Sequence, residues 1–564
     1  MKNIQKFILS LAVVFGLVSC VNDLNVNPID PNVVQEFDEN ALFSKLYNAF
    51  TQTGNKGGGG DADITTDDEG YCGFFRTLCV LNEFPSDAYW WIWNNDGGVM
   101  ASLTITWDAA NPFVSKLYNR LNYGITMANL YLDNTNDATG TEALARRAEA
   151  RFIRAYNYYY MLDFFGKAPF TTTVDMQTPD QIVGKDLYDW LIKEINEFLP
   201  DMYASRGGAV GIYRATQPAA KMLLARLYLN AEIYTGTPDW ANAEKYAKEV
   251  MDDQQFSLAP TFSHIFMGDN DRNDASCEMI FLAQQDGQHN RSDAGSQYAI
   301  AACRTEGMND HGVSAAWGCN RCRPELVMKF FPGKTRSEVI ALGQGNDEFT
   351  MPKVCGDDRA MFCQKAEAGF EAEFFGCYHG NGQLLKSNWA LCKWTNLYSD
   401  GTAPTWTSYT DTDVPLIRMS EAYLTYAEAR FRQHGASDAE AINAVKAVRE
   451  RSHNTAAFTL SEEFLCDEWL REFYLEGRRR TDLIRFHVFA GDQAWPYNWE
   501  GRGGAEVCSF VGEFCDPADD SKSTGDKATD ELCQPVHIDA HYNLYPIPSS
   551  ECAANPNMKQ NPGY

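Results

Sequence analysis

Positive charge is scarce in this sequence, and beyond its first residues it lacks any apolar run long enough to span a membrane. Lysine and arginine together number 48 against 76 aspartates and glutamates, so the formal net charge is −28. A surface of this sign repels phosphate backbones and anionic lipid headgroups, which argues against nucleic acid as a partner. No proline- or serine-rich linker divides the 564 residues. We therefore expect one large globular unit, and its charge is compatible with neutral ligands such as sugars.

The N-terminus has the pattern of an exported lipoprotein. Lys2 and Lys6 precede an apolar run over residues 7–18, which is too short to cross a bilayer and typical of a signal peptide. The run ends in Leu-Val-Ser-Cys, a bacterial lipobox whose cleavage would leave Cys20 as the acylated first residue. We expect a signal peptide over residues 1–19 and a lipid-anchored mature chain. The alternative is an ordinary signal peptide followed by a chance cysteine.

Sixteen cysteines are unusual for a chain of this size. With Cys20 lipidated, fifteen remain, so at least one is free or paired between chains. An exported protein can form disulfides, and the locally spaced candidates are Cys72/Cys79, Cys319/Cys322 and Cys355/Cys363. The sequence does not determine which cysteines pair. The lone CxxC at Cys319, with His311 as a third candidate ligand, is a weak zinc signal.

Helical periodicity dominates the rest of the chain. Apolar residues recur at spacings of three and four over residues 146–165, after Thr216, after Trp240 and over residues 420–433. Ser437 and Glu440 predict a capping box for the next helix. Helix–turn–helix pairs of this kind are similar to tetratricopeptide units, although a strict repeat is missing. Residues 51–112 and 255–412 predict loops and short strands on a mainly α-helical scaffold.

The stretch YWWIWNND over residues 89–96 lies in one of these loop regions. It is either a buried strand or the wet rim of a binding site. Buried indole N–H groups need partners, and the adjacent Trp90 and Trp91 cannot both point the same way along a strand. We assign Trp90 to packing and leave Trp91 open between packing and ligand contact.

Several ordered blocks resemble one family. RRAEARFIRAYNYYYMLDFFGKAPF, VPLIRMSEAYLTYAEA, EWLREFYLEGRRRTDLIRF and YPIPSSECAANPNMKQNPGY are similar to successive segments of the SusD/RagB lipoproteins. The resemblance implies a single domain over residues 20–564, with a SusD-like fold built on four tetratricopeptide-like helix pairs. It also implies a cell-surface lipoprotein of the outer membrane that delivers glycans to a SusC-like TonB-dependent transporter.

Further blocks resemble the starch-binding prototype of that family. CVNDLNVNPIDP, DDEGYCGFFR and NEFPSD carry this closer resemblance. It implies an arc of aromatic side chains that follows an α-glucan, together with a hydrogen-bonding arginine and one polar residue. The matching residues here are Trp91, Trp93, Tyr298, Trp317, Arg76 and Asp96. Asp96 stands where the prototype has asparagine, and an ionised carboxylate only accepts hydrogen bonds, so a sugar hydroxyl there must donate.

The chemistry of these residues suits starch and maltooligosaccharides. The C–H face of a pyranose stacks on the electron-rich face of tryptophan or tyrosine, and stiff rings give contact area at low entropic cost. Arg76 adds a planar set of donors for hydroxyl groups. A SusD-like binder of a different glycan is the main alternative, because its fold would be the same.

A surface glycoside hydrolase is the second alternative. Hydrolysis needs two carboxylates across the scissile bond, and Asp67, Asp68 and Glu69 are available near Arg76. Nothing in their spacing distinguishes them from the other acidic residues, and the family is non-catalytic. We therefore predict a binding protein with no catalytic residues and no cofactor.

Two charged segments remain. The loop GDNDRND over residues 268–274 offers Asp269 and Asp271 as weak ligands for a structural Ca²⁺, without the full EF-hand spacing. The arginine run 478–480 lies at helical spacing from acidic residues and predicts structural ion pairs. Those acidic residues are Glu472, Glu476 and Asp482.

Overall fold

A computed structural model describes residues 37–54, 62–64, 69–91, 98–175, 177–207, 210–304, 308–364, 389–499 and 537–564. The chain divides into a short unit, residues 1–42, and a large unit, residues 43–564. The signal peptide and Cys20 lie outside the described residues, so the domain boundary after residue 19 stays a prediction. Among the described residues, no helix is long and apolar enough to cross a membrane.

Helices are far more abundant than strands in the described chain, which confirms the mainly α fold class. They are α1 Glu39–Asn48, α2 Phe74–Asn82, α3 Val99–Thr104, α4 Pro112–Asn134, α5 Thr141–Phe165, α6 Gly184–Phe198, α7 Gln217–Leu229, α8 Ala231–Thr235, α9 Trp240–Met251, α10 Ser296–Cys303, α11 Pro324–Met328, α12 Arg336–Gly343, α13 Met351–Cys355, α14 Met419–His434, α15 Ala439–Arg451, α16 Glu462–Phe473, α17 Arg479–Arg485 and α18 Ser549–Ala554.

The long helices pack in pairs, and one contact joins helices that are distant in the chain. Helix α4 packs on α5, α7 on α9, and α14 on both α15 and α9. Their contact faces carry the periodic apolar residues, and Ala155, Leu223 and Val445 are all fully buried. The predicted helix–turn–helix organisation is therefore present, whereas the number of four tetratricopeptide-like pairs stays a prediction.

The helix ends follow the local signals, with one exception. Helix α5 ends at Gly166, whose φ of +66° lies in the left-handed region that glycine tolerates. The predicted capping box at Ser437 and Glu440 is wrong. Asp438 caps α15 by accepting from the Ala441 backbone N–H, and the Glu440 carboxylate accepts from Tyr426 instead. Aspartate is as good an N-cap as serine, so the motif alone could not decide between adjacent residues.

The strands are short and form antiparallel pairs laid over the helices. They are β1 Tyr89–Trp91, β2 Lys167–Pro169, β3 Gln181–Val183, β4 Met279–Ala283, β5 Asn320–Cys322, β6 Phe362–Gln364, β7 Trp389–Leu391 and β8 Val414–Arg418. The pairs are β1–β5, β2–β3, β4–β8 and β6–β7. In β1–β5, Trp91 lies opposite Asn320, which joins two loop regions that are distant in sequence.

A buried ionic network connects the C-terminal helices to the strands. The Arg418 guanidinium donates to Glu278, Glu472 and Glu476, and all four side chains are at most 4% exposed. Arg359 donates to Glu468 and to Glu472 from the other side. Unpaired buried charges are costly, so each arginine here is matched by carboxylates.

The arginine run 478–480 is structural, although its partners differ from those predicted. Arg478 pairs with Asp482, as its spacing predicted, and also with Glu421. Arg479 pairs with Asp87, a residue nearly four hundred positions away. The guanidinium of Arg480 lies 4.5 Å from a tyrosine ring centroid and donates to the Asn543 carbonyl. Local spacing could not reveal partners that are distant in sequence.

Candidate glycan-binding site

Arg76 on α2 is a buried arginine surrounded by aromatic rings. Its guanidinium carbon lies 4.1 Å from the ring centroid of Tyr71, 5.1 Å from that of Tyr298 and 5.8 Å from that of Trp317. The side chain is 5% exposed, and its Nε has no hydrogen-bond partner among the described residues. We call these four residues, together with Trp91, the Arg76 cluster.

A close approach of two backbones brings the cluster together. Gly73 precedes α2, and a Cβ added there would lie 1.8 Å from the Cβ of Ala294. The Arg76 backbone N–H donates to the Ala294 carbonyl at 3.0 Å. Because Tyr298 follows in α10, the missing side chain at Gly73 allows α2 and α10 to place Arg76 against Tyr298.

Trp91 and Trp317 join the cluster through the β1–β5 pair and the segment before β5. The ring of Trp91 stacks on that of Tyr298, with centroids 6.3 Å apart and an interplanar angle of 22°. The Trp317 backbone N–H donates to the Ala301 carbonyl of α10 at 2.7 Å. Segments that contribute residues 76, 91, 298 and 317 therefore meet at one place, as the resemblance to the family implied.

The rings of the cluster differ in accessibility. Trp91 is 2% exposed and Tyr298 is fully buried, whereas Trp317 is half-buried. Burial raises the pKa of Tyr298 well above its ordinary value, and its hydroxyl has no hydrogen-bond partner among the described residues. Trp317 thus has surface available to a ligand, while Trp91 and Tyr298 pack behind Arg76. Ligand contact by these residues stays a prediction.

Two predicted site residues, Trp93 and Asp96, fall within residues 92–97 and lie outside the described residues. Trp90, assigned to packing, is 5% exposed, and the guanidinium carbon of Arg323 lies 4.2 Å from its ring centroid. The first two indoles of YWWIWNND therefore belong to the core.

Tyr71 is a member of the cluster that sequence reasoning missed. It lies in the 3₁₀ turn Glu69–Cys72, and the Lys116 ammonium is 4.7 Å from its ring centroid on the side of α4. Arg120 of α4 holds the turn by donating to the Cys72 carbonyl at 2.9 Å. The signal was available, since an aromatic residue stands inside the same DDEGYCGFFR block that identified Arg76.

The acidic candidates do not converge on one point. Asp269 accepts from the backbone and the hydroxyl of Ser399, while Asp271 accepts from Tyr213 and Arg272. A Ca²⁺ at this loop stays a prediction. Of the three acids considered for hydrolysis, Asp67 and Asp68 lie outside the described residues.

The Arg76 cluster can bind a neutral polyhydroxylated ring. Rings on several sides hold the guanidinium in place without consuming its donors, because aromatic faces attract the cation but accept few directional hydrogen bonds. No salt bridge joins Arg76 to a carboxylate in the described part of the chain, and its Nε, without a hydrogen-bond partner there, is a donor that a ligand hydroxyl could accept from. A half-buried indole beside these donors supplies the apolar face for a pyranose.

Comparisons with known proteins identify the family of this chain. Residues 381–564 match the model of the SusD family, and residues 75–229 match a family described as starch-binding associating with outer membrane. The chain is 37% identical to the starch-binding protein SusD of Bacteroides thetaiotaomicron, over 97% of this chain and 96% of that protein. It is 23% identical to a SusD-like protein of Bacteroides ovatus, over 78% of this chain and 79% of that protein.

Solved structures share the fold. A SusD-like carbohydrate-binding protein from Bacteroides fragilis matches with a TM-score of 0.65 at 17% identity, covering 92% of this chain and 98% of its own. Surface glycan-binding protein A from Bacteroides thetaiotaomicron, solved in complex with laminarihexaose, matches with a TM-score of 0.61 at 14% identity, covering 93% and 98%.

The helical scaffold and the cluster it carries define the class of SusD-like glycan-binding proteins. With 37% identity to a curated member over nearly the whole of both chains, this chain belongs to the SusD family.

Proposed function

We propose that this protein binds starch and maltooligosaccharides at the cell surface and delivers them to a SusC-like TonB-dependent transporter in the outer membrane. The observation that carries the proposal is Arg76, a buried cation held by rings, with no carboxylate partner in the described chain and with the half-buried Trp317 beside it. The 37% identical relative is named as a starch-binding protein, which supports an α-glucan as the ligand.

In this proposal the residues of the site have separate roles. Trp317 and Trp93 stack on glucose rings, Arg76 donates to hydroxyl groups, and Asp96 accepts from one. Trp91 and Tyr298 are buried and hold the Arg76 guanidinium in position. Tyr298 can contact the ligand only if the residues that bury it move when the ligand binds. Each stacked ring should contribute about 1 kcal/mol, since aromatic pairs add about 0.5–1.5 kcal/mol beyond area burial.

The deciding experiment is retention of the mature chain in a native gel containing starch. The double variant Trp93→Ala with Trp317→Ala should lose retention while its thermal melt stays nearly unchanged. Trp240→Ala removes a half-buried indole from the scaffold helix α9 and is the matched control, which should keep retention. A folded double variant that still binds starch would move the site elsewhere, and one that unfolds would return these indoles to the core.

Ligand length should sharpen the same test. Short maltooligosaccharides should bind weakly, with a Kd of about 1 mM, which corresponds to a binding free energy of about −4 kcal/mol. Long or cyclic α-glucans that hold a helical curve should bind more tightly, because they lose less conformational freedom. Equal or better binding of a β-linked glucan by calorimetry would favour the second candidate, a SusD-like binder of another glycan. That candidate is kept because a neighbour of the same fold was solved with laminarihexaose.

Anchoring and delivery are tested separately from glycan binding. Cys20→Ala should leave the protein folded but released from the membrane fraction, and a variant that still sediments with membranes would contradict the lipid anchor. The native protein extracted in mild detergent from starch-grown cells should carry a large β-barrel protein with it. Recovery of the protein alone, repeatedly, would count against delivery to a transporter. We also propose that the protein is non-catalytic, so prolonged incubation with maltooligosaccharides should release no shorter products.

A further inference from the structure

A second cluster of chemically active side chains lies in the core, apart from the residues proposed for glycan binding. Glu348, Cys363 and Cys392 are all buried, and their carboxylate oxygen and two sulfurs lie within 4.8 Å of one another. Among the residues that the structure describes, no other group of three such side chains comes together in this way. The sequence signals do not reveal it, because the three residues follow no known metal-binding spacing.

Strand pairing places the two thiols. In β6–β7, Cys363 lies opposite Ala390, and Cys392 directly follows β7 with its backbone N–H donating to the Met361 carbonyl at 2.9 Å. Residues two apart on a strand share a face, so both thiols point to the same side of the pair. Their sulfurs are 3.5 Å apart. Two thiolates on a tetrahedral Zn²⁺, with Zn–S bonds of about 2.3 Å, lie roughly 3.7 Å apart.

The carboxylate of Glu348 needs a cation. Glu348 is buried, with 6% of its surface exposed. Its Oε1 accepts from the Asn309 backbone N–H, while its Oε2 has no hydrogen-bond partner among the described residues. The charged contact of this buried carboxylate in the described chain is His311, which neutralises it only when the imidazole is protonated. When His311 is neutral, a divalent cation beside the two thiols would remove the electrostatic cost of the buried charge.

His311 contacts the same carboxylate. Its Nδ1 lies 3.3 Å from the Trp394 carbonyl, and its Nε2 lies 3.6 Å from Glu348 Oε1 with no hydrogen-bond partner of its own among the described residues. If Nδ1–H donates to that carbonyl, Nε2 presents a lone pair toward a carboxylate oxygen. Two acceptors face each other stably only when a proton or a metal ion lies with them. His311 is therefore a positioning residue for Glu348.

We propose that Cys363, Cys392 and Glu348 bind one thiophilic divalent cation, Zn²⁺ in the first instance, with His311 orienting the carboxylate. Two sulfur ligands exclude Mg²⁺ and Ca²⁺, which prefer oxygen alone. On binding, the two thiols release their protons to solvent and become thiolates, so affinity must fall as the pH is lowered. The ion would fix the β6–β7 pair to the turn before α13. This proposal is independent of the glycan proposed above.

The competing explanation is a disulfide between Cys363 and Cys392, which an exported protein could form. It would consume both thiols and leave Glu348 paired with a protonated His311, with no third ligand role for the carboxylate. The neighbouring candidates from the sequence do not compete, since Cys355 and Cys363 are not joined, and neither are Cys319 and Cys322. Among the described residues, Cys319, Cys322 and His311 do not form a group of metal ligands, so the zinc site considered at the CxxC is not present there.

The test uses the full chain, purified under reducing conditions without chelator. Metal analysis should find one Zn²⁺ per chain, and Co²⁺ substitution should produce a sulfur-to-cobalt charge-transfer band together with the strong visible absorption of a tetrahedral site. Cys363→Ser with Cys392→Ser should abolish that band. Cys466→Ser, which alters a buried thiol of α16 outside the cluster, is the matched control and should leave the band unchanged.

Affinity measurements separate the remaining roles. Glu348→Gln keeps the side-chain volume and should weaken the affinity for Zn²⁺ by about 100-fold or more. His311→Gln should weaken that affinity by about 10–100-fold, which is typical of residues that hydrogen-bond to a metal ligand. The proposal is overturned if the reduced wild-type chain binds neither Zn²⁺ nor Co²⁺, or if the cobalt band survives in the double cysteine variant. It is also overturned if protein taken from the cell surface carries a Cys363–Cys392 disulfide and no metal. The wild-type cobalt spectrum decides the matter even if a variant fails to fold.

Discussion

Two buried arginines of this protein occupy opposite environments. Arg418, the last residue of strand β8, donates to three carboxylates that are themselves buried. Arg76, on helix α2, is surrounded by aromatic rings instead of carboxylates, and its Nε has no hydrogen-bond partner among the described residues. A charge with built-in partners contributes to the fold, and removing one member leaves the others uncompensated. Under the proposed function, Arg76 donates to a glycan, whereas Arg418 contributes to the stability of the fold.

The largest effect should come from breaking the scaffold arginine. Arg418→Met leaves Glu278, Glu472 and Glu476 buried with less counter-charge, so the free energy of unfolding should fall by about 3–5 kcal/mol. Chemical denaturation measures it, and the protein that remains folded should still bind starch. The control is Lys446→Met, which breaks an exposed ion pair with Glu450 and should change stability by at most about 0.5 kcal/mol. A loss below about 1 kcal/mol for Arg418→Met would remove the contrast.

Acid should destabilise the scaffold below pH 4.5. Burial raises the pKa of Glu468, but Arg359, Arg471 and Arg449 outweigh burial and lower it from 4.5 to about 2. A carboxylate whose pKa is depressed on folding stabilises the protein above its unfolded value and loses that contribution as the pH falls through the folded value. Stability should therefore drop by on the order of 3 kcal/mol between pH 4.5 and 2 from this group.

Glycan binding should respond differently to pH. No salt bridge joins Arg76 to a carboxylate in the described chain, and a guanidinium stays protonated throughout the neutral and mildly acidic range. Starch retention should therefore be flat between pH 8 and pH 5. A steep loss of retention within that range would mean that a titrating group controls the site.

The third effect is on binding rather than stability. Arg76→Met removes charged donors but strands no buried carboxylate among the described residues, so affinity for α-glucan should fall by about 1.5–3 kcal/mol, roughly tenfold to a hundredfold. The thermal melt should stay the same or rise. Titration calorimetry measures the glycan affinity and scanning calorimetry the thermal stability, so that the effects of changing Arg76 and Arg418 can be compared. A variant that unfolds while keeping affinity would make Arg76 a structural residue.

A steric change at Gly73 should affect both properties. Gly73→Ala forces a Cβ against Ala294, and overpacking of this kind costs typically about 1–3 kcal/mol. Because the same contact sets Arg76 against Tyr298, glycan affinity should fall as well. Gly140→Ala is a useful control for the clash, since no atom lies within 4 Å of a Cβ at that residue, although its φ of +94° adds strain of its own. If Gly73→Ala changed neither stability nor glycan affinity, α2 and α10 would be able to move apart without cost.

The smallest effect should follow loss of the Tyr298 hydroxyl. This hydroxyl is fully buried without a hydrogen-bond partner among the described residues, so Tyr298→Phe should be neutral or stabilising by up to about 1 kcal/mol. If Tyr298 only supports Arg76, starch affinity stays unchanged. A clear loss of affinity would instead show that its cover opens and that the hydroxyl reaches the sugar.

The helices could be predicted because their signals are local. The apolar period over residues 146–165 and the stop at Gly166 describe α5 to within a few residues, since side chains three and four apart share one helix face. The ion pair of Arg478 with Asp482 follows from the same spacing. Where two adjacent residues could serve one role, as Ser437 and Asp438 could for the N-cap, local signals were not enough.

Short local patterns were enough to predict the helical class, the family and the types of residue proposed for the site, because such patterns are recognised without knowing which residues lie near them in space. Which residues come into contact depends on the tertiary structure. In the folded protein, Arg76 lies close to the rings of Tyr71 and Tyr298, and Trp90 and Trp91 are buried in the core. Cys363 and Cys392 lie beside the carboxylate of Glu348. Such contacts form between segments that are far apart in the sequence, as between Gly73 and Ala294. A single sequence shows the glycine that permits a close contact, but it does not show which segment packs against it.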